Sequence, residues 1–297
     1  MKYVITGGAG HISRPLAEAL HKAGHQVTLV GRDEGKLKPL TDLGIKAAIG
    51  SVEDAHFLTG AFAGAAAIYL MIPPNFSVSD WRTFQHTVAN NYVLAIKANH
   101  IKNVVVLSSI GAHMGNGAGP VDGLADLEAL LKTVEGLNVK VLRPSYFMYN
   151  LFGMIPMMKN MQIMGSNFGG TGDKLALVHT NDIAAVAAEE LLALNFTGQS
   201  IRYIAGDEKT SNEIATILNQ AANTSSIPWV LFSDEQALEG MKESGLPATF
   251  ATGYTTMGKA IREGKMQEDY WKNRPTLSPT KLVDFAKEFG VAFAANN

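Results

Sequence analysis

The chain has 297 residues, 46% of them hydrophobic, which is enough to bury a substantial core and excludes disorder over most of its length. It has no cysteine, which excludes disulfides, thiolate metal sites and a cysteine nucleophile, and its 8 histidines show no metal-binding spacing of the H-E-x-x-H kind. With 25 Lys and Arg against 27 Asp and Glu, the net charge of -2 leaves no basic field for nucleic acid. No apolar stretch reaches the roughly 18–20 residues that cross a bilayer. Met1-Lys2-Tyr3-Val4-Ile5 lacks a signal-peptide layout, so a cytoplasmic protein with no membrane partner is expected.

In chain order, Tyr3-Val4-Ile5 reads as a strand running into Thr6-Gly7-Gly8-Ala9-Gly10. Ile12, Leu16, Ala19 and Leu20 then mark one face of a helix that Gly24 ends. Further strands are predicted at Val27–Val30, Lys46–Ile49, Ala66–Ile72, Asn103–Leu107 and Val139–Leu142. Helices fall between most of them, notably Asp80–Asn99 and Gly123–Val134. This alternation predicts an α/β fold, a Rossmann-type doubly wound parallel sheet with right-handed crossovers.

Beyond Arg143-Pro144 the segment Tyr146–Met164 is rich in Met and aromatics, and Gly165–Gly172 is a glycine-rich turn region. A strand at Leu175–Val178, a helix at Asn181–Ala193 and a strand at Ser200–Ile204 follow, then helices at Thr210–Ala222 and over much of Asp234–Arg262. The last helix is predicted at Ser278–Phe289, capped by Ser278 with Pro279 in its first turn, and the tail Ala294–Asn297 is expected to fray. The expected organisation is an NAD(P)-binding domain over residues 1–150 and a smaller C-terminal α+β substrate lobe over 151–297, packed on and partly interleaved with the first.

Glycines between a first strand and a first helix permit positive φ and close backbone approach, and the helix N-terminus offers N–H groups to a pyrophosphate. Gly7-Gly8-Ala9-Gly10-His11-Ile12-Ser13 stands in that place, with Ser13 at the last small position of the motif. About twenty residues on, NAD-binding folds hold the ribose 2′-hydroxyl with an acid. Here that place holds Val30-Gly31-Arg32. A guanidinium clamps a 2′-phosphate, and Lys36 adds charge one turn on, so NADP(H) is expected over NAD(H). In the competing reading Asp33 supplies the acid one step late.

These residues resemble the short-chain dehydrogenase/reductase superfamily and, within it, the atypical NmrA-like branch of NAD(P)-binding proteins. The resemblance covers nearly the whole chain. It rests on residues 4–12, 29–32, 70–75 and 106–111, on Leu142-Arg143-Pro144-Ser145-Tyr146-Phe147-Met148-Tyr149-Asn150, and on Val178-His179-Thr180-Asn181-Asp182-Ile183-Ala184. It implies that Thr6, Gly7, Gly8, Ala9, Gly10, His11 and Ile12 form the cofactor turn and that Met71, Ile72 and Pro73 run along the ribose and nicotinamide. It places Ser108 and Ser109 where the superfamily has its catalytic serine, with Pro144, Tyr146 and Phe147 bordering the nicotinamide. Asn75, Phe76, Tyr149, Asn150 and Met154 are candidates for the substrate side, and His113 is a candidate proton donor beside Ser109. The run from Met148 to Met164 suits either a soft apolar pocket or a core-facing helix.

One departure bears on chemistry. The superfamily's reductases use a Tyr-x-x-x-Lys pair whose ammonium lowers the phenol pKa. No such pair exists here, and the helix Gly123-Leu124-Ala125-Asp126-Leu127-Glu128-Ala129-Leu130-Leu131-Lys132 contains no tyrosine. Glu128 matches a glutamate common in the branch. The first expectation is an NADPH-dependent oxidoreductase that transfers a hydride to a small apolar acceptor, quinone- or enone-like, with water or Ser109 supplying the proton. The alternative is a non-catalytic NADP(H)-binding redox sensor of the NmrA type that signals to a regulatory protein partner. A nucleoside-diphosphate-sugar epimerase is disfavoured, because those enzymes depend on the Tyr-Lys pair. No metal is expected, and a homodimer is left open.

Overall fold

The computed structural model describes residues 1–170 and 172–295. Asn296 and Asn297, the end of the expected frayed tail, lie outside the described residues. In chain order the elements are β1 (Lys2–Thr6), α1 (Ser13–Lys22), β2 (Gln26–Gly31), α2 (Glu34–Thr41), β3 (Lys46–Ile49), α3 (Ala55–Phe62), β4 (Ala67–Leu70), α4 (Trp81–Ala98), β5 (Asn103–Leu107), α5 (Asp122–Lys132) and β6 (Asn138–Pro144). They continue with β7 (Tyr146–Phe147), α6 (Ile155–Met161), β8 (Met164–Ser166), β9 (Lys174–Val178), α7 (Thr180–Ala193), β10 (Gln199–Ile204) and β11 (Asp207–Thr210). The chain ends with α8 (Ser211–Ala222), β12 (Trp229–Leu231), α9 (Asp234–Glu243), α10 (Ala248–Arg262), α11 (Glu268–Lys272) and α12 (Leu282–Ala295).

The chain divides into two compact units. The first comprises Met1–Ser109, Asp122–Arg143 and Ile183–Arg202, and the second Ile110–Val121, Pro144–Asp182 and the chain from Tyr203 onward. The first unit carries a seven-stranded sheet in the order β10-β6-β5-β4-β1-β2-β3. From β6 through β3 every neighbouring pair is parallel. Strand order reverses beside β1, which leaves a crevice outside the carboxyl ends of β1 and β4. This is the doubly wound α/β sheet the alternation predicts.

Side-chain alternation explains how the sheet is covered. Val4, Ile68, Leu70, Val104, Val106, Val139 and Val141 point into one apolar layer with Leu58 and Phe62 of α3, Val88, Tyr92 and Ile96 of α4, and Leu127 and Leu131 of α5. Tyr3, one residue off Val4, faces the other way, and its phenol donates to the Leu191 carbonyl of α7 at 3.0 Å. Asp54 and Asp80 cap α3 and α4 by accepting first-turn N–H groups, which fixes where those helices begin.

The second unit has a three-stranded sheet, β11-β9-β7, and a two-stranded one, β12-β8. Its core gathers Met148, Met154, Met158 and Met164 with Phe168, Leu218, Trp229, Phe285 and Phe289. Thr210 and Glu213 form a capping box that starts α8. The strand expected over Ala66–Ile72 is shorter, Ala67–Leu70, and two further boundaries differ for a visible reason. The stretch expected as one helical region over Asp234–Arg262 is two helices, because Gly245 takes φ +88 and Pro247 starts a new helix. The last helix begins at Leu282, not Ser278. Ser278 N–H is drawn to the Ala205 carbonyl, Thr280 is held by the Asp182 carboxylate, and the Leu282 N–H is taken by Asp207, so Pro279 stays outside the helix. Among the described residues no helix is long and apolar enough to cross a membrane.

Candidate cofactor site

At the end of β1 the chain turns through Gly7 and Gly8, whose φ values of +101 and +55 lie in the left-handed region. A Cβ on Gly7 would stand 2.5 Å from Ser13 Oγ and 2.9 Å from Met71 Cγ. The Gly8 N–H donates to the Val30 carbonyl at 2.9 Å, tying the turn to the end of β2, and a Cβ on Gly31 would meet Gly8 Cα at 3.1 Å. Ser13, the departure from the glycine pattern, is buried, and its hydroxyl donates to the Thr6 carbonyl at 2.8 Å. Serine therefore closes the turn onto α1 with a hydrogen bond where glycine would only make room. The first turn of α1 follows directly: the Arg14 N–H donates to the Gly10 carbonyl at 3.0 Å and the Leu16 N–H to the Ile12 carbonyl at 3.1 Å, so the positive end of the helix faces the glycine turn.

Beside this turn lies a cavity of about 330 Å³, within the range of roughly 300–1,000 Å³ usual for small-molecule sites. Gly7–Gly10 form one wall, Val30–Asp33 with Lys36 and Leu37 a second, and Gly50–Glu53 a third, while Pro73, Asn75 and Phe84 close the remaining side. The lining loops follow the carboxyl ends of β1, β2, β3 and β4, as expected for a ligand site of this sheet. Arg32 is exposed and has no ion-pair partner among the described residues. Asp33 caps α2: its Oδ1 accepts the Lys36 N–H at 3.1 Å, and its Oδ2 lies 3.8 Å from Lys36 Nζ.

Of the residues singled out in the sequence, the cavity brings together Gly7, Gly8, Ala9, Gly10, Arg32, Lys36 and Pro73. Asn75, expected on the substrate side, also lines it, with its carboxamide oxygen accepting from Ser77. Thr6, Ile12 and Ile72 are buried behind the wall, His11 and Phe76 are exposed, and Met71 packs under Gly7. The sequence reading missed Gly50–Glu53 and Phe84. The signal for the first was present, since Gly50-Ser51 directly follows the predicted strand Lys46–Ile49 at the sheet's carboxyl edge.

At the carboxyl ends of β5 and β6 the structure assembles a second polar group. Arg143 binds Glu128 bidentately, with Nε to Oε1 at 3.1 Å and Nη2 to Oε2 at 2.6 Å, and the Ser108 hydroxyl also donates to Glu128 Oε1. Ser108, Glu128 and Arg143 are 3%, 7% and 5% exposed. The Ser108 hydroxyl is thus committed to Glu128, and Ser109, half-buried next to it, has no hydrogen-bond partner for its hydroxyl among the described residues. Lys132 at the end of α5 is exposed.

The other candidates lie in the second unit. His113 sits in a 3₁₀ turn, Ala112–Met114, with Nδ1 buried and without a hydrogen-bond partner among the described residues. The Pro144 carbonyl accepts the Ile110 N–H at 2.9 Å. Tyr146 packs edge-on against Phe168, and burial pushes its phenol pKa up. Phe147 is half-buried, Tyr149 and Asn150 are exposed, and Tyr149 borders a separate open cavity of about 580 Å³ with Phe152 and Lys159. Met154 lies in the core, as do Met148, Met158 and Met164, so the methionine run is mainly packing.

The parallel sheet, the left-handed glycine turn and the cavity at its carboxyl edge define a Rossmann-type dinucleotide-binding protein. The family described as NAD(P)H-binding matches residues 7–193, more than half of the chain, and the chain belongs to it. It is 28% identical over 287 residues to an uncharacterized oxidoreductase, YesF, of Bacillus subtilis, covering 95% of this chain and 93% of the relative. Its fold matches that of the NADPH-dependent quinone oxidoreductase QOR2 of Escherichia coli complexed with NADPH, with a TM-score of 0.76 at 21% identity over 96% of this chain and 99% of the other. It equally matches the triphenylmethane reductase of Citrobacter sp. complexed with NADP(H), with a TM-score of 0.78 at 19% identity over 97% and 99% of the two chains.

Proposed function

We propose that this protein is an NADPH-dependent reductase that acts on a small apolar acceptor of the quinone or enone class. The observation that carries the cofactor choice is the Arg32-Asp33-Lys36 corner of the cavity. Two cations line it, and the carboxylate beside them, Asp33, is engaged in capping α2 instead of being free for a ribose hydroxyl, while Glu53 stands on the third wall. Arg32 and Lys36 would hold a 2′-phosphate, and Gly7–Gly10 with the N-terminus of α1 would hold the pyrophosphate. When bound, the reduced nicotinamide supplies a hydride. Reduction of a quinone takes up that hydride and one proton, and the Ser109 hydroxyl or water delivers the proton without a Tyr-Lys pair. The kinship with an oxidoreductase of Bacillus subtilis, and the fold shared with reductases crystallised with NADPH and NADP(H), support this reading.

The test is to titrate the purified protein with NADPH and with NADH, then to follow loss of nicotinamide absorbance with a panel of quinones and enones. Tighter binding of NADPH, with turnover that Gly10→Trp abolishes, is expected. Tighter binding of NADH overturns the cofactor choice. Tight NADPH binding without turnover on any acceptor overturns the reductase and leaves a cofactor-sensing protein.

A further inference from the structure

We propose that Tyr92, a residue of the α4 core that lines no part of the cavity, is a positioning residue for the cofactor site. Its phenol holds the Met71 peptide, and through it the 71–75 wall, in register with the phosphate-binding turn. Tyr92 is fully buried among apolar neighbours and stacks on Phe62 with ring centroids 6.3 Å apart. A phenylalanine would fill that space without placing a hydroxyl in an apolar layer, which is costly unless the hydroxyl is partnered. The partner is the Met71 carbonyl, which accepts from Tyr92 at 2.7 Å.

Met71 lies just past the end of β4, beyond the reach of the sheet's ladder. Side chains satisfy its peptide groups instead. Thr6 Oγ1 accepts the Met71 N–H at 2.8 Å and its hydroxyl lies 3.3 Å from both the Tyr69 and Met71 carbonyls, while Tyr92 makes the shorter bond to the Met71 carbonyl at 2.7 Å. Thr6 is the last residue of β1, and its own carbonyl accepts the Ser13 hydroxyl at 2.8 Å. The ties therefore run from α4 through Met71 and Thr6 to α1 beneath the cavity. The Met71 side chain fills the space a Cβ on Gly7 would need, and two residues beyond Met71 the wall begins at Pro73. Burial raises the Tyr92 pKa, so the phenol stays a donor through the neutral range.

This inference rests on the dinucleotide site and not on which acceptor is reduced, so the experiment reads binding alone. The parent is titrated with NADPH and NADH first. Binding of neither overturns the site itself, before any variant is made, and the tighter cofactor becomes the probe. In Tyr92→Phe, which conserves the ring, the dissociation constant is expected to rise roughly 3–10-fold, the equivalent of one hydrogen bond. Amide exchange read by mass spectrometry is expected to speed up in residues 71–75. Thr6→Val cuts the same tie from the other end, and its effect should combine with Tyr92→Phe less than additively. Ile96→Val, in the same helix and apolar layer, lowers the melting temperature without touching Met71 and should leave cofactor affinity unchanged. A Tyr92→Phe protein that melts lower but binds cofactor as the parent does, with exchange at 71–75 unchanged, reduces Tyr92 to packing and overturns the proposal.

Discussion

The carboxyl end of β1 and the carboxyl ends of β5 and β6 lie along the same edge of one sheet, yet they are built in opposite ways. At β1 the structure is made by side chains that are missing: Gly8 and Gly31 let the ends of β1 and β2 approach backbone to backbone, and Gly7 leaves room for Ser13 and Met71. At β5 and β6 it is made by side chains that are present, a buried carboxylate held by a guanidinium and a hydroxyl from residues 128, 143 and 108. The first arrangement leaves a cavity at the start of a helix, suited to a ligand. The second fills its space and satisfies its charges internally, suited to fixing strand ends. The difference separates the tandem serines, since the Ser108 hydroxyl belongs to the clamp and Ser109 does not.

The largest effect is expected from breaking the clamp. Arg143→Met leaves the Glu128 carboxylate buried and uncompensated, which costs about 3–5 kcal/mol, and urea unfolding should show a loss of stability of that size. Removing both charges in Glu128→Leu/Arg143→Met should recover most of the loss, since a buried ion pair is worth little over an apolar replacement of similar volume. If the two regions are independent, the folded double variant binds NADPH with the parent's affinity. A double variant as unstable as the single would show that the pair contributes more than mutual neutralisation.

Gly7→Ala attacks the other region. The left-handed φ alone costs about 1–2 kcal/mol in an L-residue, and the added methyl presses on Ser13 and Met71. Because the displaced atoms belong to the phosphate turn, cofactor affinity should fall by more than tenfold, measured by titration, while the Ser108-Glu128-Arg143 clamp stays intact. Arg32→Gln is a smaller and more selective change. Loss of a charge-assisted contact of about 1.5–3 kcal/mol should weaken NADPH binding at least tenfold and leave NADH binding within a factor of about two. Equal losses for both cofactors would assign Arg32 to the pyrophosphate or to no contact specific to the 2′ position.

The two regions also differ in how far they could be read in advance. The turn is a local pattern of strand, glycines and helix, so Gly7, Gly8, Gly10 and Arg32 were visible from spacing and strand order. The clamp was not, because Ser108 and Glu128 are 20 residues apart and Glu128 and Arg143 are 15 apart, on three elements whose phase no periodicity gives. Nothing in the sequence around Tyr92 points to a partner, and only the fold shows the Met71 carbonyl it faces. In the second unit Ser278-Pro279 has the look of a helix start, and distant carboxylates at Asp182 and Asp207 override it. Local chemistry is legible where one segment suffices, and long-range polar pairing must be seen.

The smallest effect is expected outside both regions, which makes it a control on them. In the second unit Asp234 accepts from Arg262 Nη1 and Nη2 at 2.8 and 2.9 Å and from the Asn167 amide at 2.9 Å. The Arg262 guanidinium, helped by Asn167, lowers the Asp234 pKa to about 2, from an ordinary value of 3.8. A folded-state pKa below the unfolded one stabilises the protein above the unfolded value, and the stabilisation is lost as pH falls through the folded one. The contribution is therefore whole at neutral pH and disappears between about pH 4 and pH 2. The pair is partly open to water, so about 1 kcal/mol remains after solvent screening. Asp234→Asn should cost that amount in urea unfolding at pH 7, flatten the acid limb of the stability profile below pH 4, and leave NADPH affinity at pH 7 unchanged. An Asp234→Asn protein with the parent's acid limb would assign the pH dependence in that window to other carboxylates, and one with weakened NADPH affinity would show that the second unit's ion pairs reach the cofactor site.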